Sequence, residues 1–289
     1  MKTSMVEATR RVEQQWDETR TREHLPEKER SRVAGKSLAP FFLLAFLFSW
    51  LVEVPLALQA QGIVNLSLPF GLHYLAGYGP LVAALLLTGR NGGWRALRAL
   101  FGRMARWRVP ARWWLVAFSP LLFYGLLVVA MAWWQGPPPS FGELGRLNFL
   151  PNLGLAALPF WVLTYGIGEE TGWRGYALPR LQQRHGAFTA TLILWFWWAF
   201  WHLPLFFYSY DPAVFPGFLP GLFAGAIVFT WLYNSTGSIL IAAVWHGMFN
   251  LTTACAACGA GIGAAGVSLL VMIGAALLLL LYQPLTLRR

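Results

Sequence analysis

Acidic residues are scarce through most of this chain: after residue 37 only Glu53, Glu143, Glu169, Glu170 and Asp211 remain. Cysteine is equally sparse, with Cys255 and Cys258 in the string CAAC. One C-x-x-C, with no second pair and no soluble thioredoxin-like pattern, reads as two small packing residues at a helix end rather than a redox or metal site. The long hydrophobic runs lack apolar–polar alternation, which excludes a β-barrel. AGKS at residues 34–37 is not a phosphate loop, because the earlier glycine it requires is replaced by Arg30. An H-E-x-x-H helix is absent, and so is any Ser or Cys nucleophile standing beside a base. No internal repeat is apparent, and the polar residues concentrate in the second half.

What is present is apolar bulk. Of 289 residues 57% are hydrophobic, with 16 Trp, and the apolar runs are too long for a soluble core. Eight candidate spans lie near residues 38–60, 69–89, 113–134, 153–178, 187–208, 216–234, 237–254 and 261–282. Basic residues alternate between the connections. Nine fall in residues 1–37, seven Arg in the second connection, and Arg174, Arg180 and Arg184 at the fourth, while the intervening connections hold only Arg146. Because cytoplasmic loops collect Lys and Arg, this pattern predicts an all-α polytopic membrane bundle of about eight transmembrane helices with both termini cytoplasmic. The net charge of +10 is then mostly topology, with attraction to anionic membrane lipids as a by-product, and calls for no nucleic-acid partner.

Residues 1–37 form a polar cytoplasmic arm, helical or disordered, with nine basic and seven acidic side chains. Residues 38–289 are the membrane-embedded domain, and no cleavable signal peptide is visible ahead of them. Between the second and third spans, Trp94, Leu97, Phe101 and Met104 recur at helical spacing among Arg residues, as in a helix lying in the interface. The string GPPPSFGEL at 136–144 is a turn-rich external connection. Pro179 is expected to end the fourth helix near Leu178. That would place Glu169 about 14 Å below the helix end, near mid-membrane, among Gly166, Gly168, Gly172 and Gly175, where small residues allow close helix approach.

A carboxylate near the bilayer centre costs at least about 2.5–3.5 kcal/mol on insertion scales, so adjacent Glu169 and Glu170 call for a reason. They open the string EETGWR. Arg174 stands four residues after Glu170 and neutralises it on a helix, while Glu169, rotated by about 100°, points elsewhere. His202 follows in WFWWAFWHLP, and VWHGMFN sets His246 and Asn250 at i and i+4 on one face. Each residue alone has a structural reading, since imidazole and amide groups hydrogen-bond between helices. Together they supply the parts of a hydrolytic site: Glu169 and His202 can take a proton from water, and His246 and Asn250 can donate to a developing oxyanion. A single activated water fits the missing nucleophile. Glu53 and His73, at similar depth, are expected to pair with each other as a structural contact, with a part in substrate entry as the alternative. His24 and His185 receive no role.

These residues resemble the CPBP intramembrane peptidases, which include the CAAX prenyl proteases and the bacteriocin-processing or Abi proteins. The family motif E-E-x-x-x-R appears as Glu169 to Arg174, F-x-x-x-H as Trp198 to His202, and H-x-x-x-N as His246 to Asn250. The likeness covers about residues 150–255. It implies a glutamate-type intramembrane endopeptidase with Glu169, His202, His246 and Asn250 catalytic and Glu170, Arg174 and Trp198 supporting. It further implies a multi-pass protein of the bacterial inner (plasma) membrane, with no cofactor and no metal. The partner is a peptide or protein substrate, membrane-anchored or prenylated substrates included. Trp198 departs from the usual Phe and enlarges the side chain beside His202. Depth is a second departure: counted from residue 187, His202 lies about 22 Å along its helix, farther than Glu169.

Three other readings stay open. Glu and two His are possible zinc ligands. A proton-coupled transporter uses buried Glu and His as a relay, although paired repeats with broken helices are its usual mark. A non-catalytic scaffold would use the same polar cluster to hold helices together.

Overall fold

Four segments of the computed structural model are helices long and apolar enough to cross a membrane: Ala39–Ala60, Phe70–Met104, Ala187–Phe207 and Pro212–Thr236. A fifth is added if Ala111–Ala117 and Ser119–Trp133, which meet at 45°, count as one bent span. The structure describes residues 37–134, 144, 153–254, 261–282 and 287, and among them it is helical with no strand. Residues 1–36 of the polar arm with His24, residues 136–143 of the turn-rich connection, and Cys255 and Cys258 lie outside the described residues.

The helices are α1 (Ala39–Ala60), α2 (Gly79–Met104), α3 (Ala111–Ala117), α4 (Ser119–Trp133), α5 (the continuous run 158–181), α6 (Ala187–Trp201), α7 (Phe215–Thr236), α8 (Ile239–Thr253) and α9 (Gly261–Leu281). Of the eight expected spans, those at 153–178, 237–254 and 261–282 do not pass the length test, the last counted only over Gly266–Leu281, and the other two for a simple reason. The first is divided among short α and π pieces, and α8 has 15 residues, about 22 Å of helix against a hydrocarbon core of about 30 Å.

Proline recurs in the first turn of α1, α2, α4 and α7, where its missing N–H leaves no helical bond unmade. Along α1 the exposed Leu43, Leu47 and Leu51 form one stripe, and Phe42, Ala45, Ser49, Glu53 and Leu56 are buried on the other side. A leucine stripe turned outward suits hydrocarbon and would be an aggregation face in water. The expected break between the second span and the interfacial helix lies inside α2 at Gly93, whose φ of +59° interrupts the helix. Beyond it Trp94 and Phe101 are exposed, and Leu97 and Met104 are half-buried.

α5 is the least regular element. Leu158–Trp161, Gly168–Gly172 and Leu178–Leu181 are α-helical, and Val162–Ile167 and Trp173–Ala177 between them are π-helical. Pro179 therefore does not end the helix, contrary to expectation. It sits in the first turn of the last α piece, after a π turn whose shifted bonding leaves room for a residue without an N–H. Glycines set how closely α5 meets its neighbours: a Cβ on Gly168 would lie 2.5 Å from the Gly77 carbonyl oxygen, and Gly166 abuts the Ala243 backbone.

α1 packs on α2, α5 lies against α2 and α8, and α7 joins α6 and α9. Polar ties reinforce this apolar packing. Thr191 and Thr230 join their hydroxyls at 2.8 Å between α6 and α7, and Ser49 Oγ donates to the Ala76 carbonyl at 2.7 Å. Trp173, fully buried, meets Phe41 and Trp201 edge-on at 5.5 and 6.1 Å. α7 ends at Gly237 with φ +60°, and Ser238 caps α8 by accepting from the Ile241 amide at 3.2 Å. The consecutive caps turn the chain back within two residues and carry α8, with His246 and Asn250, along α5.

Candidate active site

Glu169 and Glu170 share the α-helical piece between the two π turns of α5 and are 2% and 0% exposed. The i, i+4 reading holds: Arg174 Nη1 donates to Glu170 Oε1 at 3.0 Å, with both side chains fully buried. That same oxygen accepts from His246 Nδ1 at 2.8 Å. Glu170 thus joins α5 to α8. The Arg174 guanidinium also lies 4.5 Å from the Trp198 ring centroid and 4.3 Å from that of Phe229, so its flat faces meet π clouds rather than lipid.

Glu169 points away from this pair, as a rotation of about 100° requires. It is not free. Trp198 Nε1 donates to its Oε2 at 2.7 Å, a bond the sequence reading missed by treating position 198 as packing alone. The signal was the indole N–H, which the usual Phe lacks. Trp198 also receives His202 through its backbone, because His202 Nδ1 donates to the Trp198 carbonyl at 2.7 Å. A carbonyl only accepts, so Nδ1 carries the proton and Nε2 is left for a water or a substrate. His202 caps the end of α6, where a 3-10 turn, Leu203–Phe207, takes over.

Glu169, His202, His246 and Asn250 all line one cavity of about 410 Å³. This volume falls within the roughly 300–1,000 Å³ of ligand pockets and exceeds many times the about 30 Å³ of one water. Glu170, Arg174 and Trp198 stand behind the wall. The cavity also takes in Glu53, His73, Tyr165 and Tyr210, residues that the sequence reading left outside the site.

The expected pairing of Glu53 with His73 is corrected. His73 Nδ1 meets the Tyr208 hydroxyl at 2.7 Å and Nε2 the Tyr165 hydroxyl at 2.6 Å. Both ring nitrogens are therefore engaged by tyrosines distant in sequence, which no local spacing announces. Glu53 lies in α1, 1% exposed, with Oε2 unbonded. His185 is exposed. Among the described residues no group of three or more His, Cys, Asp or Glu is gathered as a metal site.

Residues 151–252, the segment that carries α5, α6 and α8, match the family model described as Type II CAAX prenyl endopeptidase Rce1-like. The chain is also similar to CAAX prenyl protease 2 of Methanococcus maripaludis, 30% identical over 127 residues. The aligned part is 39% of this chain and 47% of that relative, so the chain spans about half the length of the curated relative it matches. The segment that brings two carboxylates, two imidazoles and an amide together is thus the part of the chain that is similar to the Rce1-like CAAX prenyl endopeptidases.

Proposed function

We propose that the chain is an intramembrane endopeptidase that hydrolyses a peptide bond with one water activated by Glu169 and His202. The observation that carries this reading is the shared cavity lined by Glu169, His202, His246 and Asn250. In this mechanism the Glu169 carboxylate takes a proton from water, with His202 Nε2 orienting the same water. The hydroxide adds to the peptide carbonyl carbon. The oxyanion is met by the Asn250 amide and by His246 Nε2, which donates when the ring is protonated and Nδ1–H remains on Glu170. Breaking the C–N bond passes the proton from Glu169 to the leaving nitrogen, so one water and one peptide bond yield a carboxylic acid and an amine, which exchange a proton to become carboxylate and ammonium. Glu170 and Arg174 hold His246, and Trp198 holds Glu169.

The reaction in this reading needs no metal and no cofactor. The substrate is a peptide or protein segment reaching the cavity from the cytoplasm or the bilayer, a prenylated C-terminal segment being one candidate by family. The full reading includes eight membrane passages in the bacterial inner membrane, cytoplasmic termini and a separate arm at residues 1–37. Its test is turnover of a fluorogenic peptide, prenylated and unprenylated, by the full chain in proteoliposomes. Glu169→Gln and His202→Ala are each expected to lower kcat by at least about a hundredfold, and exhaustive chelation is expected to leave the rate intact. Full turnover by Glu169→Gln would refute the mechanism. Proton flux that disappears with Glu169, in the absence of peptide cleavage, would favour the transporter reading.

A further inference from the structure

One carboxyl group in the cavity has no place in that mechanism. Glu53 is buried in the apolar helix α1, yet it lines the same cavity as Glu169. An acid inside a spanning helix is costly and is retained where it meets a partner or a ligand. Among the described residues its Oε2 makes no hydrogen bond, and His73, also in the cavity wall, gives its two ring nitrogens to Tyr208 and Tyr165. The cavity wall contains the carboxyls of Glu53 and Glu169 and, among the described residues, neither Lys nor Arg. Arg174 lies outside the wall and is committed to Glu170. Among the described residues, a cation to pair with Glu53 is left for the occupant to bring.

We propose that Glu53 forms a specificity subsite that receives a basic side chain, Lys or Arg, of the bound peptide. The ammonium or guanidinium donates to the Glu53 carboxylate while the peptide carbonyl lies between Glu169 and Asn250. Tyr210 and Ser209, also in the wall, offer hydroxyls to the same group. The mechanism above explains the cavity's reactive polar residues, and Glu53 would add selection to them. The proposal takes the chemical class of its ligand from the peptidase reading and is otherwise independent of turnover.

Binding separates the two. The full chain carrying Glu169→Gln is purified in detergent micelles and titrated with fluorescein-labelled peptides, acetylated and amidated at their ends, in which lysine or norleucine occupies each position in turn. At one position lysine is expected to bind about tenfold or more tightly than norleucine, the effect of one charge-assisted bond to a buried group. In Glu169→Gln/Glu53→Gln that ratio falls to near one. A norleucine peptide with a free N-terminus distinguishes a terminal ammonium from a side-chain ammonium; preference for that peptide alone overturns the side-chain assignment. The proposal is equally overturned if no position favours lysine, if no peptide of the series binds, or if the preference survives Glu53→Gln. The single-variant ratio decides even if the double variant fails to fold. Lysine-selective binding of peptides that the unaltered chain never cleaves would uphold the subsite and refute the peptidase. Cleavage without lysine preference would do the reverse.

Discussion

Replacing Glu170 by alanine removes the carboxylate oxygen that holds two helices and two cationic or cationisable groups at once. Arg174 Nη1 at 3.0 Å and His246 Nδ1 at 2.8 Å both lose their acceptor, and Arg174, 0% exposed, becomes a buried charge that has lost its bonded counter-ion. Charge-assisted bonds contribute about 1.5–3 kcal/mol each, and breaking a buried pair from one side costs about 3–5 kcal/mol. The ring faces of Trp198 and Phe229 at 4.5 and 4.3 Å return part of this to Arg174. The expected loss is therefore about 3 kcal/mol, a fall in Tm on the order of 10 °C, read from tryptophan fluorescence of the detergent-solubilised chain. Glu170→Gln keeps an acceptor oxygen and should lose less. Glu170→Leu/Arg174→Met leaves no orphan charge and should recover much of the deficit, as replaced buried pairs do. The reasoning fails if Glu170→Ala costs less than about 1 kcal/mol, or if the double variant is no more stable than its worse single.

Two further outcomes follow from the same contacts. Trp198→Phe installs the residue of the motif this segment resembles and keeps a ring beside Arg174, but deletes the N–H that meets Glu169 Oε2 at 2.7 Å. In the fluorogenic-peptide assay kcat should fall about tenfold to a hundredfold with KM little changed, and a change below about twofold would show that something else positions Glu169. Gly168→Ala places a methyl 2.5 Å from the Gly77 carbonyl oxygen, a backbone atom that cannot swing aside. Thermal unfolding should register a loss of about 1–3 kcal/mol, and an unchanged Tm would mean that α5 and the Gly77 segment separate freely.

Much of the helical architecture was legible because the apolar runs are continuous and their breaks are chemical. The left-handed Gly93 stands between the expected end of the second span at 89 and the apolar helix beginning at Trp94. The π turns of α5 were not legible. A π turn is set by what the helix must pass, here the Ala243 backbone beside Gly166 and Gly247 beside the Val162 backbone, and residue type along one stretch of sequence does not encode that approach. The error over Pro179 has the same source: a proline ends an α-helix by leaving a bond unmade, and the preceding π turn had already changed the bonding. Length misled in the other direction. An apolar run of adequate size at 237–254 became a 15-residue helix because Gly237 and Ser238 spend their positions on consecutive caps.

Within the site, local spacing was a sound guide wherever partners share one helix. Glu170 with Arg174, and His246 with Asn250, are one turn apart, and the first pair bonds as expected. Spacing was silent across helices. His73 finds Tyr165 at 92 residues' separation and Tyr208 at 135, so its apparent match with Glu53 rested on depth alone. Depth counting also made His202 seem too far along its helix to reach Glu169. The structure removes that difficulty without a shift in helix start, since α6 begins at Ala187 as counted and ends at Trp201. A distance along one axis locates a residue only relative to its own helix end, and the ends of α5 and α6 need not be level. What joins the two residues is Trp198: its indole reaches Glu169 while its carbonyl, one turn before His202, fixes the imidazole. An indole spans several ångströms from backbone to N–H, so a Trp in place of Phe can link residues that helix counting separates. The substitution that looked like a departure from the motif is the contact that ties two of its halves together.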